Sequence, residues 1–136
     1  MHYSSPMQGL HLTADLHGCT CDARWLTDAA ALGAACVQAV RAAGLTPVGQ
    51  LLHGFEPTAA GPGGVTATVL LAESHLCVHT WPEQRAVTLD VYVCNFSGDR
   101  SAAAEQLMGT LLALFQPARA ERHALRRGGV LSVTTA

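Results

Sequence analysis

Hydrophobic and polar residues alternate over residues 10–19, with Leu10, Leu12, Ala14 and Leu16 on one side and His11, Thr13, Asp15 and His17 on the other. A period of two predicts a half-buried strand. Over residues 22–43 the period lengthens. Leu26, Ala29, Leu32, Cys36 and Val40 recur at three- and four-residue steps, and Gly44 follows at a C-cap position, so an amphipathic helix is expected. Gly33 inside it costs about 1 kcal/mol relative to alanine, which the surrounding alanines offset. Residues 46–55 read as a weaker strand, demoted toward an edge or a bulge by Pro47, Gly49 and Gly54. The PTAAGPGG stretch, residues 57–64, is a loop. Residues 65–72 form an apolar strand, 74–80 continue extended, and Trp81-Pro82-Glu83 turns the chain. Residues 86–96 are a further strand with Thr88, Asp90, Tyr92 and Cys94 on one face. A second helix spans 99–115, with Leu107, Leu111 and Leu114 on its apolar side and Pro117 beyond its end. A short strand over 118–125 follows, and RRGGVLSVTTA is expected to fray.

The order is β-α-β-β-β-α-β, and two helices need a sheet face to cover. The expected fold is α+β: a two-layer sandwich with an antiparallel-rich sheet and both helices on one face. Residues 1–136 suffice for one domain. Charged residues are only 13% of the chain against about 25% in an average protein, so the uncovered sheet face is expected to meet a partner, most simply a second copy in a homodimer. A formal charge of −2 argues against binding to nucleic acid. No apolar run reaches the roughly 18 residues that span a bilayer, and MHYSSPMQGLHL lacks the pattern of a secretory signal. The expectation is a cytoplasmic protein without membrane contact. Five cysteines (Cys19, Cys21, Cys36, Cys77 and Cys94) are an odd number, which argues against a disulfide framework and leaves at least one thiol free.

The densest chemistry lies in ESHLCVHTWPE, residues 73–83, where an aliphatic strand gives way to nucleophiles, acids and bases. A serine-hydrolase reading of Ser74, His75 and His79 lacks a G-x-S-x-G elbow. A metal reading is weak as well: the i, i+4 spacing of His75 and His79 suits a helix rather than a strand, and Cys19-x-Cys21 has no second pair at zinc-site distance. No metal is expected. Taken singly, these residues are ordinary polar groups of a sheet face, and Cys94 a small buried hydrophobe.

Together, ESHLCVHTWPE and the following LDVYVCN resemble the processing-site signature of the short prokaryotic form of S-adenosylmethionine decarboxylase. GLHLTADLHGC near the start, HGF at residues 53–55 and ERHALRRG at 121–128 resemble further segments of that family, so the resemblance spans most of residues 9–128. It implies a zymogen that cuts itself autocatalytically between Glu73 and Ser74, giving a β chain of residues 1–73 and an α chain of residues 74–136. The serine hydroxyl attacks the preceding carbonyl, a base removes its α-proton, and elimination and hydrolysis leave a pyruvoyl group at position 74. By the same resemblance His79 is that base, and Thr66, where the family usually has serine, supplies the hydroxyl that stabilises the oxyanion. The pyruvoyl ketone, a covalent cofactor, takes the substrate amine as a Schiff base and accepts the electrons released with carbon dioxide. Cys94 then protonates the carbanion; a thiol near pKa 8.5 is both protonated and acidic enough at neutral pH.

The implied activity is that of a lyase of polyamine (spermidine) biosynthesis acting on S-adenosyl-L-methionine. Phe55 and Trp81 are candidates for the faces that hold adenine and sulfonium, and Glu83 for the ribose hydroxyls. FEPTAAGPGGVTA is longer than the family's usual stretch here, and Leu10 stands where an arginine is common. Relatives that decarboxylate L-ornithine or L-arginine with the same machinery are therefore an alternative, with Glu56, Asp15 or Glu83 facing the basic tail. A second alternative is a non-catalytic homologue that regulates a partner enzyme, against which the joint presence of Ser74, His79 and Cys94 argues.

Overall fold

A computed structural model describes residues 8–95 and 98–128 of the chain. Phe96 and most of the expected C-terminal tail lie outside the described residues. Six strands form one sheet: β1 (Gly9–His17), β2 (Pro47–Gly54), β3 (Val65–Leu71), β4 (Ser74–Trp81), β5 (Ala86–Cys94) and β6 (Arg119–Arg127). Their spatial order is β2-β3-β4-β5-β1-β6, and every neighbouring pair is antiparallel. Helices α1 (Arg24–Thr27), α2 (Ala29–Ala42) and α3 (Ser101–Phe115) complete the α+β fold.

The expected order is one strand short. The extended run from residue 65 to 80 is two strands, because Ala72 and Glu73 form a two-residue hairpin that pairs Leu71 with Ser74. Glu73 takes a left-handed φ of 59°, a costly conformation for a residue with a Cβ. The first helix is also divided. Asp28 is extended, and its carboxylate accepts the Ala31 N–H as the N-cap of α2, so α1 ends before it. Strand β6 runs to Arg127 because it pairs with β1 along its whole length, so Arg126 and Arg127 belong to the sheet rather than to a frayed tail. Strand β2 is an edge strand with a register shift between Pro47 and Gly49, in keeping with its one proline and two glycines.

Alternation sorts the sheet into two faces. Leu12, Ala14 and Leu16 of β1, Val87, Leu89, Val91 and Val93 of β5, and Leu76 and Val78 of β4 are buried beneath the helices. Leu32, Cys36 and Val40 of α2 and Leu107, Met108, Leu111 and Phe115 of α3 close the core from the other side. Helix α2 lies over β2 and β3, and α3 over β5 and β1. Thr80 is the one buried polar residue among those described. Its hydroxyl donates to the Leu26 carbonyl of α1 at 2.7 Å and accepts the Val65 N–H of β3 at 2.8 Å, tying three elements at one point.

No helix covers the opposite face. Register places His11, Thr13 and Asp15 of β1 beside Tyr92, Asp90 and Thr88 of β5, and Thr66 and Thr68 of β3 beside His79 and Cys77 of β4. Leu51, Leu70, Trp81 and Leu125 lie exposed on this face. Among the described residues no helix is long and apolar enough to cross a membrane.

Candidate active site

The candidate residues fall into two groups, set apart along strand β4. Ser74 begins that strand directly after the hairpin, and its Oγ accepts the Cys94 N–H at 3.0 Å. Ser74, Cys94, Glu73 and Arg100 line a small cavity of about 110 Å³, closed by Leu45 and Leu71. The strained Glu73–Ser74 junction and the Cys94 thiol thus share one recess. None of Cys19, Cys21, Cys36, Cys77 and Cys94 forms a disulfide.

His79 stands five residues further along β4, about 16 Å away at a rise of roughly 3.3 Å per residue. Opposite it on β3, Thr66 Oγ1 lies 3.0 Å from His79 Nδ1. Beside this pair opens a cavity of about 360 Å³ whose lining includes Phe55, Glu56, Thr66, His79, Trp81 and Glu83. The structure therefore joins Phe55, Trp81 and Glu83 with Thr66 and His79, but does not bring His79 to Ser74 within one chain. Phe55 is 54% and Trp81 40% exposed, so both offer aromatic surface to a ligand. The glycines of the loop make the cavity's shape possible. A Cβ on Gly63 would lie 2.0 Å from the Phe55 carbonyl oxygen, and one on Gly64 2.1 Å from that of Thr80. The loop is consequently folded tightly back, with Phe55 N–H donating to the Gly64 carbonyl. Glu56 belongs to this cavity, whereas Asp15 lies on the sheet face with Thr13, Thr88 and Asp90.

A third cluster joins residues 79 positions apart in sequence. His75 Nε2 lies 2.6 Å and His11 Nε2 2.9 Å from Asp90 Oδ2. Burial works to raise the Asp90 carboxyl, but hydrogen bonding and charge from His75 and then His11 outweigh it, and the group is held below the ordinary carboxylate range. The three ligand atoms lie within 4.8 Å of one another, close enough to hold a metal ion. The proton inventory favours a hydrogen-bonded network. Arg127 lies 2.7 Å from His11 Nδ1 and can only donate, so a neutral His11 carries its proton on Nε2, aimed at Asp90. Alternation puts each of these residues on the open face, but only the pairing of β5 with both β1 and β4 makes His11, Asp90 and His75 meet, and the pairing of β1 with β6 adds Arg127.

Arg85, Cys19, Cys21 and Cys36 lie apart from these groups. Arg85 donates from Nε to the Cys19 carbonyl at 2.7 Å and from its guanidinium to the Cys21 carbonyl, clamping the loop after β1. Burial, and then the neighbouring Cys21, push the Cys19 thiol up to about 11, and burial, followed by Cys77, pushes Cys36 up to about 12. Neither forms the reactive thiolate at neutral pH.

The two-layer fold has a solved counterpart. The solved adenosylmethionine decarboxylase from Aquifex aeolicus superposes with a TM-score of 0.79 at 32% identity, over 97% of this chain and 100% of that one. This architecture defines a carboxy-lyase made as a proenzyme. S-adenosylmethionine decarboxylase proenzymes from Picrophilus torridus and Parasynechococcus marenigrum are 35% and 39% identical to the chain over 120 residues. Each comparison covers 88% of this chain and, respectively, 84% and 83% of the relative. The family model for S-adenosylmethionine decarboxylase matches residues 10–128, and the chain belongs to that family.

Proposed function

We propose that the chain is a self-cleaving, pyruvoyl-dependent decarboxylase of S-adenosylmethionine, cut between Glu73 and Ser74. One observation carries the reading: the Glu73–Ser74 bond lies in a hairpin turn with Glu73 left-handed, and Ser74 Oγ accepts the Cys94 N–H in one recess that both residues line. Strain at Glu73 of about 1–2 kcal/mol raises the ground state of the bond to be broken. The Cys94 N–H orients Oγ while leaving its proton free to depart. Oγ attacks the Glu73 carbonyl carbon, the amide nitrogen leaves to give an ester, and loss of the Ser74 α-proton expels the Glu73 carboxylate. The dehydroalanine left at position 74 takes up water and releases ammonia. The residues present fit the pyruvoyl group so formed: Ser74 is its source, and a cavity of about 110 Å³ opens beside it. When formed, that group supplies an electron sink for the departing carboxylate. Cys94 holds a proton in the same recess for delivery to the substrate carbon.

His79 and Thr66 are too far along β4 to serve Ser74 of their own chain. A homodimer resolves this: two open sheet faces packed about a two-fold axis set the His79 end of one copy against the Ser74 end of the other. The exposed Leu51, Leu70, Trp81 and Leu125 supply apolar surface for such packing. Phe55 and Trp81 then hold adenine and sulfonium, and Glu83 the ribose hydroxyls, in the cavity that also contains His79. The relatives' shared name, S-adenosylmethionine decarboxylase proenzyme, supports that substrate over ornithine or arginine and a catalytic over a purely regulatory role.

The substrate reading is tested by carbon dioxide release from S-adenosylmethionine, ornithine and arginine in parallel. Release from S-adenosylmethionine alone is expected; release from a basic amino acid alone overturns it. The dimer is tested by mixing Ser74→Ala chains with His79→Ala chains under subunit exchange. The His79→Ala chain is expected to be cut only in the mixture, and an uncut mixture contradicts the pairing.

A further inference from the structure

On the open face, β3 and β4 carry an unbroken row of hydrogen-bonding side chains. Thr66 Oγ1 lies 3.0 Å from His79 Nδ1, His79 Nε2 3.4 Å from Cys77 Sγ, and Cys77 Sγ 3.3 Å from Thr68 Oγ1. Both imidazole nitrogens are thus engaged within one chain, and Trp81 packs beside the ring with centroids 6.2 Å apart. A neutral imidazole has one N–H and one lone pair, so the row has two self-consistent proton arrangements. In one, Thr66 donates to Nδ1 and Nε2–H donates to sulfur. In the other, Nδ1–H donates to Thr66 and the Cys77 thiol donates to Nε2.

The second arrangement alone leaves the Thr66 hydroxyl proton free for an oxyanion and puts the imidazole lone pair on Nε2, held only by a weak thiol donor. We infer that Cys77 is a positioning residue that holds His79 as the Nδ1–H tautomer, its thiol hydrogen resting on Nε2. The inference builds on the proposed roles of His79 and Thr66. A thiol is a weak donor, so it orients the ring yet yields the lone pair readily when a C–H bond is presented. Thr68 completes the row by donating its hydroxyl to the sulfur, which keeps the S–H directed at His79.

The uncut Ser74→Ala chain permits a readout independent of processing. Two-bond proton–nitrogen correlation spectra of its histidines in mildly alkaline buffer, with His79 assigned by its loss in His79→Gln, report the tautomer directly. The expected pattern is Nδ1–H, retained on adding Cys77→Ser and lost on adding Cys77→Val. In chains with Ser74 intact, Cys77→Val is expected to slow cleavage about five- to tenfold, the scale of one lost hydrogen bond. Cys77→Ser is expected to restore the rate. A His79 held as Nε2–H overturns the inference, as does a Cys77→Val chain cut at the unaltered rate. If the unmutated chain is never cut, the proposed function fails, while the tautomer still decides for or against Cys77.

Discussion

Replacing Thr80 by valine keeps the shape of a buried side chain and removes only its hydroxyl, which isolates the bond network that ties α1, β3 and β4 together. The Val65 N–H, which donates to Oγ1 at 2.8 Å, is then left unpaired in the core, at a cost of about 1–3 kcal/mol. Loss of the 2.7 Å bond to the Leu26 carbonyl adds about 0.5–1.5 kcal/mol. Together the change is about 1.5–4.5 kcal/mol, and a domain of this size loses roughly 3–5 °C of melting temperature for each kcal/mol. Thr80→Ser is the control, since it keeps the hydroxyl and loses one methyl group, at about 1 kcal/mol. Both are measured by urea and thermal unfolding in the uncut Ser74→Ala background, at one fixed chain concentration, so that cleavage and association do not enter. The reasoning requires valine to be clearly worse than serine. A valine variant as stable as the parent, or more stable than the serine variant, refutes it.

Asp90→Asn is expected to destabilise the uncut chain by about 1–2 kcal/mol at neutral pH, because a partly buried carboxylate loses its charge-assisted bonds to two histidines. The folded Asp90 carboxyl lies below its ordinary value, so its contribution is present above pH about 4 and lost as the pH falls through the folded value; the variant's deficit in urea titrations narrows on acidification. Gly64→Ala is expected to cost more than 2 kcal/mol in the same assay, because its Cβ meets the Thr80 carbonyl oxygen of the backbone at 2.1 Å. Gly33→Ala is expected to fall within about 1 kcal/mol of the parent, since its Cβ meets only the movable end of Leu52 and the helix gains propensity. The order of these two glycine variants is the check. Cys94→Ala is expected to cleave but to release carbon dioxide from S-adenosylmethionine at least tenfold more slowly, a conservative share of what a positioned proton donor provides; full turnover moves that role to another group.

Much of the fold was legible because one sheet face is buried and the other is not. Strands β1 and β5 announce themselves by strict alternation, and the helix-free face follows from counting helices. What escaped was decided by contacts remote in sequence or by turns with no signature. Ala72-Glu73 contains neither glycine nor asparagine, so the hairpin between β3 and β4 reads as one continuous extended run. Asp28 is a legible N-cap, but the apolar spacing runs across it from Leu26 to Leu32 and hides the break. Arg126 and Arg127 look like a tail until β1 supplies their partner.

The site divides the same way. Glu73, Ser74, His79, Cys94, Thr66, Phe55, Trp81 and Glu83 were reached through a motif resemblance, and the structure sorts them into two groups rather than one. That separation along β4 could not be read from a motif, because spacing in sequence does not state which copy of a chain a side chain faces. The His11–Asp90–His75 network needed the pairing of β5 with both β1 and β4. Cys77, by contrast, was within reach, because it lies two positions before His79 on the same face of a strand.

The most direct test is the mass of the purified protein under denaturing conditions. Two chains are expected, one ending at Glu73 and one beginning at position 74 with a keto-blocked terminus that resists Edman sequencing and reacts with borohydride, while Ser74→Ala remains a single chain. A continuous polypeptide of 136 residues with an unmodified serine at position 74 contradicts the account.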